Sequence, residues 1–198
     1  MANRLKGRVC VITGSGGSMG RAAARLFASE GGLVVGCDIH AAGADETVRL
    51  VKAEGGQMVS YHPCDLTDPR HCQALVDFAV AAYGGIDVLF NNAAMARFGA
   101  VDEMSIADWN ANINEELNLV FLLTRVVWPH LKKKGGAIVN TASTSARLGY
   151  RVLPGLAHSA AKGAVLAMTR QLAIEGRRHG IRANSVSPGL IETNQTRP

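Results

Sequence analysis

Short apolar runs alternate along this chain with longer stretches in which apolar positions recur every three or four residues. The runs fall at 8–13, 33–37, 57–62, 86–90, 137–141 and 182–186, and their near-continuous hydrophobicity predicts strands buried on both faces. The stretches between them start near Ser18, Ala42, Asp68, Ser105 and Pro154, and each is long enough for a helix. Four of them end at paired glycines (Gly31-Gly32, Gly55-Gly56, Gly84-Gly85, Gly135-Gly136), residues that close a helix in the left-handed conformation without strain. Strict strand–helix alternation implies an α/β fold: a doubly wound parallel sheet in three layers, with helices on both faces and right-handed crossovers. No repeat, linker or low-complexity stretch interrupts the pattern, so residues 1–198 are expected to form a single domain.

Composition narrows the class. With 47% hydrophobic and 19% charged residues, the chain is not a disordered one. Its apolar runs fall far short of the ~18 residues a membrane helix needs, and the first residues hold no signal-peptide hydrophobic region. A cytoplasmic protein with no membrane partner is expected. The net charge of +5 is dispersed, and the one basic run, Lys132-Lys133-Lys134, closes a helical pattern where cations face the negative end of the helix dipole. Aromatics make up only 5%, too few for the basic, aromatic-studded face that nucleic acid requires. Cys10, Cys37, Cys64 and Cys72 form no CxxC pair and read as small buried hydrophobes, so no metal site is expected.

Ligands of doubly wound sheets bind beyond the carboxyl ends of the strands. After the first strand comes Thr13-Gly14-Ser15-Gly16-Gly17-Ser18-Met19-Gly20, a glycine turn that lets backbone N–H groups approach a pyrophosphate at a helix N-terminus. Met19 stands where the general GxGxxG fingerprint has its third glycine. After the second strand comes Asp38, which can accept from both ribose hydroxyls of an adenosine and repel a 2′-phosphate; the other reading is a cap for the next helix. No Arg or Lys lies within the glycine turn or directly after Asp38, which favours NAD. After the third strand, Asp68 or Thr67 suits a helix cap, leaving Asp65 to meet an adenine amino group. After the fourth, Asn91-Asn92-Ala93-Ala94 is small and polar where a cofactor ribose would pass.

Together with Ile138-Val139-Asn140-Thr141-Ala142-Ser143, Lys162-Gly163-Ala164 and Pro188-Gly189 followed by Thr193, these segments resemble the short-chain dehydrogenase/reductase family, from about residue 5 to the last residue. The resemblance implies a Rossmann-type, nicotinamide-binding sheet and hydride transfer between the nicotinamide and an alcohol or carbonyl carbon. It implies cofactor contacts at Gly14, Ser15, Ser18, Met19, Gly20, Asp38, Asp65, Leu66, Asn91, Ala93, Lys162, Pro188, Gly189, Ile191 and Thr193, and a catalytic group of Ser143, His158, Lys162 and Glu116. In the family the serine orients the substrate oxygen, a tyrosine moves the proton, and the lysine binds ribose and lowers the tyrosine's pKa.

The chain departs from that pattern in four ways. Ser18 replaces the middle glycine of the family's TGxxxGxG turn, a mild change because serine is a good N-cap whose hydroxyl can face a phosphate. Glu116 aligns with the family's active-site asparagine, counting from Trp109 and Phe121. The family's YxxxK reads His158-Ser159-Ala160-Ala161-Lys162, and by register Tyr150 does not replace the missing tyrosine, since Pro154 stands four residues after it. Family members continue beyond this point with a substrate-covering segment and a last strand. Here the sequence stops at Pro198, so either it is a piece of a longer chain or the substrate side lacks that segment.

His158 and Lys162 share one helix face with Val165, Thr169 and Leu172, and a lysine in such a stripe needs a partner. Glu116 interrupts the apolar stripe Trp109, Ile113, Val120, Leu123 and Val127, and by family geometry Lys162 is its nearest cation. An ammonium neighbour disfavours imidazolium, and neutral imidazole is a fair base but a poor acid, so oxidation of an alcohol is the expected direction. The alternative is a catalytically weak dinucleotide-binding protein of the same fold. The loop at 147–156 and the absent C-terminal segment would define the substrate. By resemblance, the fourth and fifth helices pair in a homodimer or homotetramer, and a second apolar stripe (Leu117, Phe121, Thr124, Trp128, Leu131) agrees with this.

Overall fold

A computed structural model describes residues 3–151 and 153–193; Val152, inside the loop expected to define the substrate, and the two ends of the chain lie outside the described residues. Six parallel strands form one sheet in the order β3-β2-β1-β4-β5-β6. They are β1 (Val9–Thr13), β2 (Leu33–Cys37), β3 (Gln57–Tyr61), β4 (Val88–Asn91), β5 (Gly136–Thr141) and β6 (Ile181–Val186). Every residue of β1 is buried, as a central strand covered on both faces requires. The chain runs outward from β1 through β2 to β3, then returns to the other side of β1 with β4. That reversal opens a crevice at the carboxyl ends of β1 and β4.

Helices α1 (Ser18–Ser29) and α2 (Ala41–Ala53) cover one face, packing Ala24, Ala28 and Val51 on Ile12, Val34 and Met58. Helices α3 (Pro69–Tyr83), α5 (Leu119–Leu131) and α6 (Leu156–Gly176) cover the other, where Leu75, Leu123, Leu131 and Val165 join Val11, Leu89 and Ile138. The three-layer reading is met. Asp68 caps α3 by accepting from the Arg70 amide, with Pro69 as first helical residue and a left-handed Gly84 after the last turn. All four expected glycine stops adopt positive φ, at Gly31, Gly55, Gly84 and Gly135.

Two local departures matter for the site. The fourth helical pattern is not one helix. It begins as α4 (Ile106–Ile113), capped by Ser105, widens into a π-helical turn at Asn114–Asn118, and resumes as α5. Single π-turns of this kind often mark functional positions. The predicted fourth strand starts two residues late, at Val88; just ahead of it stands Asp87, whose backbone already bonds Val9 and Ala137. Its Oδ2 accepts from the Val9 N–H at 2.8 Å, while Arg8 and Lys134 pair with Oδ1 at 3.3 and 3.0 Å.

Candidate active site

The glycine turn leaves β1 through Gly14, at φ +65°, and enters α1 behind Gly17. A Cβ on Gly20 would stand 2.0 Å from the Gly14 carbonyl oxygen, and one on Gly16 would stand 2.9 Å from the Ala44 nitrogen. Backbone packs on backbone at these two positions, so neither has room for a side chain. Asp38 ties the turn to β2, accepting from the Gly16 N–H and the His40 N–H at 2.9 Å each. Arg21 braces it from α1, donating to the Gly16 and Gly43 carbonyls and to the Thr47 hydroxyl. Across the crevice the Thr13 hydroxyl accepts from the Asn92 and Ala93 amides at 2.9 and 2.8 Å, fixing the loop after β4.

That loop is strapped to the π-turn. Arg97 forms a two-pronged pair with Glu115 at 2.7 and 3.1 Å, its amide donates to the Asn112 side chain, and the Met95 amide donates to the Glu115 carbonyl. The straps set Phe98 against His158, with ring centroids 5.6 Å apart. The Nδ1 edge of the imidazole meets Glu116, whose two oxygens lie 2.8 and 3.0 Å away. Glu116 is 1% exposed and also faces Lys162, its Oε1 3.6 Å from the ammonium. Lys162 donates to the Thr141 carbonyl at 3.1 Å. Burial lowers the pKa of Lys162, and the Glu116 carboxylate opposes part of that shift.

A carboxylate only accepts, so Nδ1 carries the imidazole proton opposite Glu116, and a neutral ring presents its lone pair at Nε2. Ser143 begins the short helical turn after β5, and its hydroxyl accepts from the Ser145 amide at 3.1 Å. The site therefore gathers a buried carboxylate, an oriented imidazole, a buried ammonium and a hydroxyl at one end of the sheet.

A family description, short chain dehydrogenase, matches residues 8–198. The chain is 40% identical over 196 residues to the meso-2,3-butanediol dehydrogenase of Serratia marcescens, spanning 98% of this chain and 75% of that protein. It is 38% identical over 195 residues to the 3-oxoacyl-(acyl-carrier-protein) reductase FabG of Thermotoga maritima, spanning 98% and 78%. Among solved structures, a Burkholderia xenovorans protein described as a short-chain dehydrogenase/reductase superposes with a TM-score of 0.90 at 36% identity, over 96% of this chain and 77% of that one. The chain belongs to the short-chain dehydrogenase family. It is an oxidoreductase of the class that exchanges hydride between a nicotinamide cofactor and an alcohol or carbonyl carbon.

As a member of this family it needs a groove for a nicotinamide dinucleotide, and the residues present fit one. Gly16 and Gly20 admit no side chain, and the first-turn amides of α1, which begins at Ser18, lack acceptors within the helix, an arrangement that favours a phosphate. Pro188 approaches the same rim, its carbonyl accepting from the Thr144 amide, and the described chain continues through Gly189, Ile191 and Thr193.

The side chains of several expected contact residues have partners inside the protein. The Ser15 hydroxyl points inward to the Cys37 carbonyl, Leu66 lies in the core, and Asn91 bonds Thr124 and Asn140 in the interior. Asp65 is not left over for adenine alone, since its Oδ1 accepts from the Thr67 amide and hydroxyl. Ser18 is the first helical residue rather than the cap, which falls on Gly17. Asp38 does not cap α2 either, because His40 holds that position. Thr13, Arg21 and Phe98 were not expected in the site. A threonine at the last position of β1, level with the glycine turn, was the one legible signal among them.

Proposed function

We propose that this short-chain dehydrogenase oxidises an alcohol with NAD, and that His158 is its general base. The observation that carries this reading is the Glu116–His158 pair, 2.8 Å apart and braced by Lys162. Glu116 holds the Nδ1–H and thereby aims the basic Nε2 away from the carboxylate, toward the substrate side. As Nε2 takes the alcohol proton, the adjacent carboxylate stabilises the imidazolium that forms. Ser143 orients the substrate oxygen, and Lys162 holds the nicotinamide ribose. A bound nicotinamide would supply the hydride acceptor.

Asp38 supports NAD over its phosphorylated relative. Held at the mouth of the glycine turn, its carboxylate stands ready for ribose hydroxyls and repels a 2′-phosphate. Calorimetric titration of both cofactors is expected to give NAD(H) an advantage of at least tenfold, about 1.4 kcal/mol. Equal affinities would remove the argument. Turnover is tested on a panel of secondary alcohols, with cofactor reduction followed at varied pH. Tight NADH binding with no turnover across the panel would instead leave a binding protein. The whole chain, 1–198, serves as one nicotinamide-binding unit in this reading. It acts in the cytoplasm as a two-fold homo-oligomer; no helix among the described residues is long and apolar enough to cross a membrane.

A further inference from the structure

Register excludes Tyr150 as a replacement for the family tyrosine, yet the fold returns its phenol to the catalytic serine. After β5 the chain makes the short helical turn Thr144–Ala146, and the following loop folds back so that the Tyr150 hydroxyl lies 2.5 Å from the Thr144 hydroxyl. The far end of the same loop is also fixed. The Gly99 amide donates to the Pro154 carbonyl at 2.9 Å, beside Phe98, the ring that lies against His158. Tyr150 is thus anchored at Ser143-Thr144 by one end of a loop whose other end is anchored beside His158. It stays 39% exposed, open to a ligand rather than sealed in the core.

We propose that Tyr150 is a further catalytic residue: its phenol O–H donates a hydrogen bond to the substrate oxygen beside Ser143, while His158 takes the proton. This rests on the oxidoreductase reading above. The alcohol O–H proton passes to Nε2 of His158, the hydride leaves the carbinol carbon for the nicotinamide, and Tyr150 keeps its own proton throughout. Its role is to stabilise the negative charge that builds on the oxygen between those two transfers. The local chemistry suits a strong donor. The Thr144 hydroxyl, the Ser143 hydroxyl and the Ser145 amide hold the phenol below its ordinary pKa, and no charged side chain contributes to that shift. Its chain neighbours Arg147 and Arg151 are exposed. Either hydroxyl can be the donor in this bond; the Thr144 hydroxyl donates in the arrangement proposed, which leaves the phenol's hydrogen for the substrate.

The required states are then opposite: His158 deprotonated and Tyr150 protonated. Oxidation should follow a bell-shaped pH profile whose alkaline limb falls below the ~10 of a free phenol. Tyr150→Phe should lower kcat by about 10²-fold, the typical loss of one such donor, and abolish that limb. NADH binding, read by fluorescence, should be unchanged. Thr144→Val should shift the limb upward. An absorbance titration of tyrosinate, which needs no turnover, should lose one early step in Tyr150→Phe. A Tyr150→Phe enzyme as fast as the wild type, or one that loses NADH binding in parallel, overturns the proposal alone. A wild type that binds NADH and oxidises no alcohol overturns the oxidoreductase reading and this proposal with it.

Discussion

His158 is held on two sides by groups of different character. Phe98 covers one side, and Glu116 binds the Nδ1 edge. Such fixing leaves one nitrogen for chemistry, so His158→Ala should lose the whole proton-transfer contribution, typically ~10²–10⁴-fold in oxidation rate. Cofactor binding should stay nearly unchanged, since the glycine turn lies on a different element. An alanine variant as fast as wild type would make His158 a bystander. In His158→Tyr the acidic limb of the pH profile should move upward, because phenol starts near ~10 and imidazole near ~6.5. Glu116→Gln tests the pair from the other side. It keeps an acceptor at Nδ1 but removes the anion that stabilises the imidazolium formed as the proton is taken, so the rate should fall. The spacing of His158 and Lys162 and the break in the apolar stripe at Glu116 made this group legible in the sequence. The direct Glu116–His158 contact was not. It depends on residues 42 positions apart meeting across two helices, which periodicity within either helix does not encode.

Elements carry the positioning. An ideal α-helix from Ser105 onward would keep Glu116 in the stripe's own register, and it was read that way. The π-turn instead places an extra residue in that turn, with Glu115 reaching Arg97 and Glu116 reaching His158. Nothing in the residues Asn114–Asn118 advertises the wider turn. Strand positions were far more legible, because buried parallel strands are written as continuous apolar runs. Just ahead of the late-starting fourth strand stands Asp87, a testable joint. Its carboxylate binds the Val9 amide and two cations at the amino edge of the sheet. Burial alone would raise the Asp87 pKa, but the Val9 amide, Lys134 and Arg8 outweigh it and hold the carboxyl below its usual range. A carboxyl depressed in the folded state adds stability above its unfolded pKa of ~3.9, and loses it as pH falls through the lower folded value. Asp87→Ala should therefore cost about 1–3 kcal/mol at pH 7. Asp87→Asn, which keeps an acceptor for Val9, should cost less. The gap between wild type and Asp87→Ala should narrow in urea melts below pH ~4. A gap that stays constant from pH 7 to pH 3 would show that the charge contributes nothing.

At the scale of the molecule, strand order and layering followed from alternation, but the outer surface did not. The second apolar stripe read along the fourth helical pattern is mostly interior. Thr124 and Leu131 are buried, Leu117 and Trp128 are half-buried, and Phe121 alone is exposed, at 53%. A helix packed on a sheet and between two neighbours buries more than one narrow stripe, so counting stripes overstated the free surface. The exposed apolar residues of these helices include Phe121 on α5 and Ile174 on α6, which is 70% exposed. These are two large apolar side chains on the helices that family resemblance assigns to self-association. In a two-fold interface each residue appears twice, so covering both would bury four such side chains, each worth roughly 1.5–3 kcal/mol when fully removed from water. The expected assembly is a homodimer, or a tetramer built from it, at micromolar concentration by light scattering. Phe121→Glu should place a charge on each side of the two-fold axis and drive the assembly to monomers. Because Phe121 is exposed in the isolated chain, the variant's melting temperature at low protein concentration should barely change. A wild-type protein that is monomeric at micromolar concentration would refute the assembly, and a Phe121→Glu variant that stays dimeric would move the interface to another face.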